Sequence, residues 1–190
     1  MTILLGLTGG IGMGKTTTAE MFRERGVPVW DADATVRRLY AFGGAAVGPL
    51  GEAFPEAVRD GAVDRGALRA LIAADPSVLD RVNAVVHPLV AEDRAAFLEG
   101  KRGLVVLDVP LLFETGLDRA VDAVAVVSVD TATQRKRVLA RGTMTEADLD
   151  AILSRQTPDA EKRARADFVI DTTSPESARK GVRAVLEALR

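Results

Sequence analysis

The segment GGIGMGKTTT, residues 9–18, has the composition and spacing of a loop that binds a phosphate chain. It fits the pattern G-x-x-x-x-G-K-[ST], whose fixed positions are Gly9, Gly14, Lys15 and Thr16. Glycines permit positive φ and let backbone N–H groups approach phosphate oxygens without a Cβ in the way. The lysine adds a positive charge near the β and γ phosphates, and the hydroxyl suits Mg²⁺. We therefore predict nucleotide binding by Gly10, Ile11, Gly12, Met13, Gly14, Lys15, Thr16 and Thr17, with Thr16 as a metal ligand.

A bound triphosphate could serve a switch, a motor or a phosphoryl donor. A regulatory GTPase needs Asn-Lys-x-Asp and Asp-x-x-Gly, but the only asparagine, Asn83, precedes alanine, and no Asp-x-x-Gly occurs. A motor ATPase is usually longer and carries a strand that ends in Asp-Glu, whereas Asp108 precedes Val109 here. These observations favour a small kinase.

A kinase needs a carboxylate beside the acceptor hydroxyl, and Asp33 in WDADATVRR is the best candidate. It follows the second predicted strand, at the sheet edge that carries the phosphate-binding loop. The alternative role for both Asp33 and Asp31 is capping of the next helix, and this alternative is stronger for Asp31. Asp108 ends a central strand, where its carboxylate could reach Mg²⁺ through water, although a solvated loop start is the alternative.

A kinase also needs cations around the transferred phosphoryl group. In TQRKRVLARG, Arg137 and Arg141 are four residues apart on one helical face, with Gln134 on much the same face. Both arginines border Gly142, where a lid would hinge. The alternative interpretation is a charged helix face that is simply exposed to solvent, and this alternative is strongest for Arg135 and Lys136.

The elements that would position these residues follow the alternation typical of βα units and a parallel sheet. We predict strands at residues 3–8, 27–30, 104–109, within 120–129, and 168–170. Helices are predicted at residues 15–25, 34–40, 64–74, 75–99 and 175–189, with an interrupted helix at 141–156. No convincing strand occurs in the roughly 70 residues after the second strand, which predicts a helical subdomain there, since a parallel crossover needs only about a dozen residues.

Composition limits the partners of this chain. With 190 residues, it suits one domain, residues 1–190, containing a subdomain at about 40–100 and a lid at about 137–156. The formal net charge of −2 shows no basic surplus for nucleic acid, and no apolar run approaches the roughly 18 residues of a membrane span. The chain contains no cysteine. We expect a cytoplasmic protein, with its oligomeric state left open.

Six segments in order resemble the dephospho-CoA kinase family. They are TGGIGMGKTT, DADATVRRLY, VNAVVHP, VVLDVPLLFETGL, QRKRVLARG and ADFVIDTT, and they extend to about residue 172. The resemblance implies a P-loop kinase: a five-stranded parallel sheet with helices on both faces, plus a helical acceptor subdomain and a lid. It also implies ATP-dependent phosphorylation of the 3′-hydroxyl of the ribose of dephospho-CoA, with Mg²⁺.

The resemblance implies the following site residues. Catalytic roles fall to Asp33, Lys15, Arg137 and Arg141. Acceptor contacts fall to Asp33, His87, Leu111, Leu112 and Phe113, with core packing as the alternative for the last three. Metal binding falls to Thr16; the metal role of Asp108 rests on its predicted place at the end of a central strand. A nucleoside or nucleotide kinase, or a nucleotide-sensing binding protein, remains the alternative function.

Three departures from the usual family pattern involve four positions. Met13 and Thr16 stand where Gly-Ser-Gly-Lys-Ser is usual, and we expect Met13 to be tolerated beside the phosphates because backbone groups make the contacts. Thr172 replaces an asparagine, which puts any contact of that side chain with the nucleotide base in doubt. Ile152 replaces an arginine, so the lid charge rests on Arg137, Arg141 and Arg155.

Overall fold

The structure, a computed structural model, describes residues 1–189. The chain divides into two compact units, Met1–Trp30 with Gly100–Arg190, and Asp31–Glu99. The second unit therefore begins earlier than the predicted subdomain at about residue 40. Among the described residues, no helix is long and apolar enough to cross a membrane.

The strands are β1 (Thr2–Thr8), β2 (Val29–Asp31), β3 (Val58–Arg59), β4 (Ala62–Val63), β5 (Gly103–Asp108), β6 (Ala123–Ser128) and β7 (Phe168–Asp171). The α-helices are α1 (Lys15–Arg23), α2 (Ala32–Tyr40), α3 (Val47–Ala53), α4 (Arg65–Ala74), α5 (Ser77–Leu98), α6 (Thr131–Leu139), α7 (Glu146–Leu153), α8 (Asp159–Ala164) and α9 (Pro175–Ala188).

The five-stranded parallel sheet has the order β2-β5-β1-β6-β7. In its centre, Leu5 lies opposite Val106 of β5 and Ala123 of β6. The residues from Leu5 to Thr8 are all buried, so both faces of β1 are covered, as its unbroken apolar character predicts. Helices α1 and α9 pack against each other, and α9 also packs against β7. The predicted fold class is confirmed.

The second unit has its own apolar core, which joins its helices to a short hairpin. Strands β3 and β4 pair antiparallel, with Val58 opposite Val63. The expectation that this region contains no strand is therefore wrong. Asp31 caps α2 by accepting a hydrogen bond from the N–H of Ala34 at 2.8 Å, as its alternative assignment predicts.

The predicted interrupted helix at residues 141–156 contains a single helix, α7, because α6 already ends at Leu139. Helix α6 is followed by Gly142, whose φ of 64° is the left-handed conformation that ends helices. Thr145 then caps α7 in a reciprocal arrangement with Asp148. Arg135 of α6 pairs with Asp150 of α7 at 2.7 Å, which joins the two helices.

Candidate active site

The phosphate-binding loop, residues 9–16, connects the end of β1 to the start of α1. Gly12 and Gly14 have φ values of 78° and 88°, so these two positions require the conformational freedom of glycine. Gly14 also caps α1, and Lys15 is the first residue of that helix. The predicted strand, loop and helix are therefore present, and the free N–H groups at the start of α1 favour an anion.

Lys15 forms an ion pair with Asp108, the last residue of β5. The neighbouring positions of β1 and β5 in the sheet explain this contact, because Leu7 lies opposite Asp108. Asp108 is only 2% exposed, so the alternative that it begins a solvated loop is wrong. The ammonium group expected to bind phosphates and the carboxylate expected to reach Mg²⁺ are thus adjacent.

Helix α6 faces the phosphate-binding loop. The side chain of Gln134 donates a hydrogen bond from Nε2 to the carbonyl oxygen of Ile11 at 2.8 Å. A cavity of about 340 Å³ lies beside the loop, and its lining includes Gly12, Gly14, Arg137 and Arg141. The structure therefore brings both predicted lid arginines to the loop, while their role in phosphoryl transfer stays a prediction.

The remaining residues around this cavity indicate which part of a nucleotide it would hold. The lining continues over Thr17, Thr18, Met21, Thr172, Ser174, Pro175 and Ala178. Several of these side chains are apolar or partly so, which suits a nucleoside placed next to a phosphate site. Arg155, the third arginine expected to contribute charge, is exposed and lies outside this lining.

Two of the predicted acceptor-side residues belong to the second unit. Asp33 lies in the first turn of α2, and its side chain is exposed. His87 lies on α5, where it is also exposed and precedes Pro88 within the helix. Both side chains are therefore accessible to a substrate, and their roles stay predictions.

The three apolar residues after β5 differ in burial. Leu112 is 0% exposed and packs close to Gly6 of β1, and Phe113 is 6% exposed beneath the guanidinium of Arg165. These two side chains fit the core-packing alternative. Leu111 is 42% exposed and is the member of the trio that a substrate could reach.

Sequence reasoning missed an ion pair next to this segment. The Nζ atom of Lys162, which is 1% exposed, lies 3.0 Å from Oε1 of Glu114. The same carboxylate oxygen accepts a hydrogen bond from the N–H of Thr157 at 2.8 Å. Glu114 therefore ties the segment after β5 to α8 and to Thr157 before that helix, and no local pattern in the sequence could have paired these residues.

Comparison with known proteins decides the family. The family model for dephospho-CoA kinase matches residues 3–177. A dephospho-CoA kinase from Cereibacter sphaeroides is 59% identical over 187 residues, covering 98% of this chain and 95% of the relative. The chain belongs to the dephospho-CoA kinase family. A second family member, from Jannaschia sp., is 58% identical over 184 residues, covering 96% of this chain and 94% of the relative.

Solved structures show the same fold. A Thermus thermophilus protein is 36% identical with a TM-score of 0.89, covering 100% of this chain and 98% of that one. A dephospho-CoA kinase from Campylobacter jejuni, at 21% identity and a TM-score of 0.72, covers 98% and 96% and shows the fold alone. The family predicted from the ordered segments is confirmed. The predicted enzyme class, a phosphotransferase, is confirmed with it.

One departure from the dephospho-CoA kinase family pattern has a different explanation from the one expected. The side chain of Met13 does not lie among the phosphate-facing groups of the loop but is 3% exposed within the main apolar core. Its Sδ accepts a hydrogen bond from the N–H of Val129 at 3.3 Å. Met13 therefore anchors the loop to the end of β6.

Proposed function

We propose that this chain transfers the γ-phosphoryl group of ATP to the 3′-hydroxyl of the ribose of dephospho-CoA. The observation that carries the proposal is the cavity of about 340 Å³ in which the phosphate-binding loop meets Arg137 and Arg141. In a chain of the dephospho-CoA kinase family, that arrangement of one loop and two arginines suits a triphosphate donor.

The donor side is assigned to the first unit. Lys15 and the free N–H groups of the loop bind the phosphates. The ion pair with Asp108 holds the Lys15 side chain in place before the nucleotide binds. Arg137 and Arg141 neutralise the charge that develops on the transferred group. Both arginines line the cavity, which is why this role goes to them rather than to Arg135 or Lys136.

The residues present fit a bound Mg²⁺. Thr16 offers a hydroxyl and Asp108 a carboxylate, and Mg²⁺ is typically bound through one or two carboxylates together with substrate phosphates and water. Among the described residues, no cluster of three or more acidic or histidine side chains could hold a metal ion by itself. A metal ion bound there would screen the phosphate charges. Because phosphate oxygens of the nucleotide would supply some of its ligands, the ion would bind together with the nucleotide.

The acceptor side is assigned to Asp33. As the new bond forms between the 3′-oxygen and the γ-phosphorus, the bond from that phosphorus to the β–γ bridging oxygen breaks. The hydroxyl proton passes to the carboxylate of Asp33, and ADP leaves. Asp33 is exposed in the first turn of α2, so its carboxylate is accessible for this contact.

An ADP-release assay with Mg·ATP tests the proposal. We expect ADP formation with dephospho-CoA, little with a panel of nucleosides and nucleotides, and little with water alone. Turnover on nucleosides instead would favour the nucleoside or nucleotide kinase alternative. The absence of turnover with every acceptor would favour a nucleotide-sensing binding protein.

The Asp33→Asn variant tests the assigned proton acceptor. We expect turnover to fall by about 10²–10⁴-fold with little change in ATP affinity, because a proton acceptor is lost without loss of bulk. Asp60→Asn is the matched control, since Asp60 is an exposed carboxylate of the same unit in the β3–β4 turn. Full turnover of the Asp33 variant on dephospho-CoA would show that another group accepts the proton.

A further inference from the structure

Two carbonyl groups of the phosphate-binding loop are bound by buried side chains from elsewhere in the first unit. The carbonyl oxygen of Ile11 accepts from Nε2 of Gln134 at 2.8 Å. The carbonyl oxygen of Met13 accepts from Oγ1 of Thr172 at 2.7 Å. Both donors are buried, at 4% and 6% exposure, so water competes little for these hydrogen bonds.

These contacts fix the direction of two N–H groups. The described residues contain no cis peptide bond, and in a trans peptide the C=O and the following N–H point in opposite directions. Holding the carbonyls of Ile11 and Met13 against Gln134 and Thr172 therefore turns the N–H groups of Gly12 and Gly14 the other way. Neither N–H group donates a hydrogen bond to another described residue. Unpaired N–H groups held in this way suit an anion.

Thr172 is itself held from two sides. Its hydroxyl donates to Met13, while its carbonyl oxygen accepts from Nη2 of Arg137 at 2.7 Å. The side chain also packs against the loop: a Cβ on Gly14 would lie 3.2 Å from Cβ of Thr172, tighter than ordinary van der Waals contact. Helix α6 therefore supports the loop directly through Gln134 and indirectly through Arg137 and Thr172.

We infer that Gln134 and Thr172 are positioning residues that preorganise the phosphate-binding loop for a polyphosphate. The inference rests on the proposed function, because it assumes that the loop binds the donor's phosphates. The threonine that stands where the family usually has asparagine contributes by holding a loop carbonyl, and its hydroxyl is engaged there rather than directed at a nucleotide base. If one of these hydrogen bonds is removed, the loop peptide that it holds can rotate. The cost of ordering that peptide then reduces the free energy gained on phosphate binding.

Two variants remove one hydrogen bond each with little change in shape. Gln134→Met deletes the donor to Ile11, and Thr172→Val deletes the donor to Met13. We expect each to weaken binding of inorganic tripolyphosphate by about twofold to tenfold, the effect of one net hydrogen bond. The KM for ATP should rise similarly, while affinity for dephospho-CoA should remain unchanged. Thr172→Ser keeps the hydroxyl and should restore most of the affinity.

The matched control is Thr2→Val. It removes a hydroxyl that donates to the carbonyl oxygen of Lys101 at 2.7 Å, far along the sheet from the loop. Tripolyphosphate affinity is measured by calorimetry with Mg²⁺ present, at a temperature where thermal melts show every variant to be folded. The control should bind like the wild type even if its melting temperature falls. If Thr172→Val does not fold at the assay temperature, Gln134→Met decides alone.

Wild-type tripolyphosphate affinity in the folded variants would overturn the inference. An equal loss in Thr172→Ser and Thr172→Val would also overturn it for Thr172, because the effect would then come from packing rather than from the hydroxyl. Failure of the wild-type protein to bind tripolyphosphate or ATP would instead count against the proposed function. The two failures are therefore distinguishable.

Discussion

Lys162 is the most deeply buried charged side chain among the described residues, and its replacement by methionine gives a quantitative prediction. Its Nζ lies 3.0 Å from Oε1 of Glu114, and the side chains are 1% and 18% exposed respectively. Methionine keeps most of the apolar stem and removes the charge. The carboxylate of Glu114 then remains in a poorly hydrated site without its counter-ion.

The magnitude follows from the geometry of this pair. Removing one partner of a fully buried ion pair costs roughly 3–5 kcal/mol. Glu114 retains the hydrogen bond from Thr157 and some contact with water, so we expect a lower cost, about 2–3 kcal/mol. For a chain of this size, that corresponds to a fall in melting temperature of about 4–12 °C. The double variant Lys162→Met/Glu114→Gln should recover much of the loss, because no charge is left unpaired.

The effect should depend on pH. Burial alone would raise the pKa of Glu114, but the N–H of Thr157 and the ammonium of Lys162 outweigh burial and lower it. A lowered pKa in the folded state contributes stability that is present above the unfolded pKa of about 4.5 and is lost as the pH falls through the folded value. The difference between wild type and Lys162→Met should therefore be largest near neutral pH and shrink in acid.

Thermal and urea unfolding across this pH range provide the measurement. Lys180→Met, at an exposed position of α9, is the matched control and should melt close to the wild type. Wild-type stability of Lys162→Met at neutral pH would refute the reasoning. A double variant no more stable than the single one would refute it as well, since an uncompensated carboxylate would then not be the cause.

Two other predictions concern the site. Lys15→Ala should weaken ATP binding, measured by equilibrium dialysis, and leave dephospho-CoA binding nearly unchanged; unaltered ATP affinity and turnover would contradict the assigned role. Leu111→Ala should change the free energy of unfolding by less than about 0.5 kcal/mol, as exposed substitutions do, and raise the KM for dephospho-CoA. Leu112→Ala, which empties a fully buried position, should instead cost about 2–5 kcal/mol in urea unfolding. Equal free energies of unfolding for the Leu111→Ala and Leu112→Ala variants would contradict the assignment of Leu112, and not Leu111, to the core.

The fold could be predicted where burial leaves a local pattern. Strands covered on both faces read as unbroken apolar runs, and the segments that became β1 and β5 show this. Strands β3 and β4 could not be found in this way, because two residues each are too short to show alternation. The Asp60-Gly61 turn between them was the available signal, since Asp-Gly is typical of hairpin turns.

The same distinction between local pattern and tertiary packing applies to the residues of the candidate site. The phosphate-binding loop was predictable because its chemistry is contained in one short segment. The hydrogen bond between Gln134 and Ile11 joins residues 123 positions apart, and only the tertiary packing of α6 against the loop brings them together. The same holds for Thr172, where the sequence showed only a departure from the family pattern and the structure shows a hydrogen bond to Met13.

Met13→Ser, which introduces the residue usual in the family, separates the stability of the loop from its affinity. The thioether fills a core position and accepts from the N–H of Val129, so serine leaves a cavity and should cost about 2–5 kcal/mol, the range for large-to-small core changes. The ATP affinity of the folded variant should change little, because the phosphate contacts come from backbone groups. Urea unfolding and calorimetric ATP titration measure the two quantities. Unchanged stability would show that the core does not need Met13, whereas weakened ATP binding by fully folded protein would show that its side chain shapes the loop.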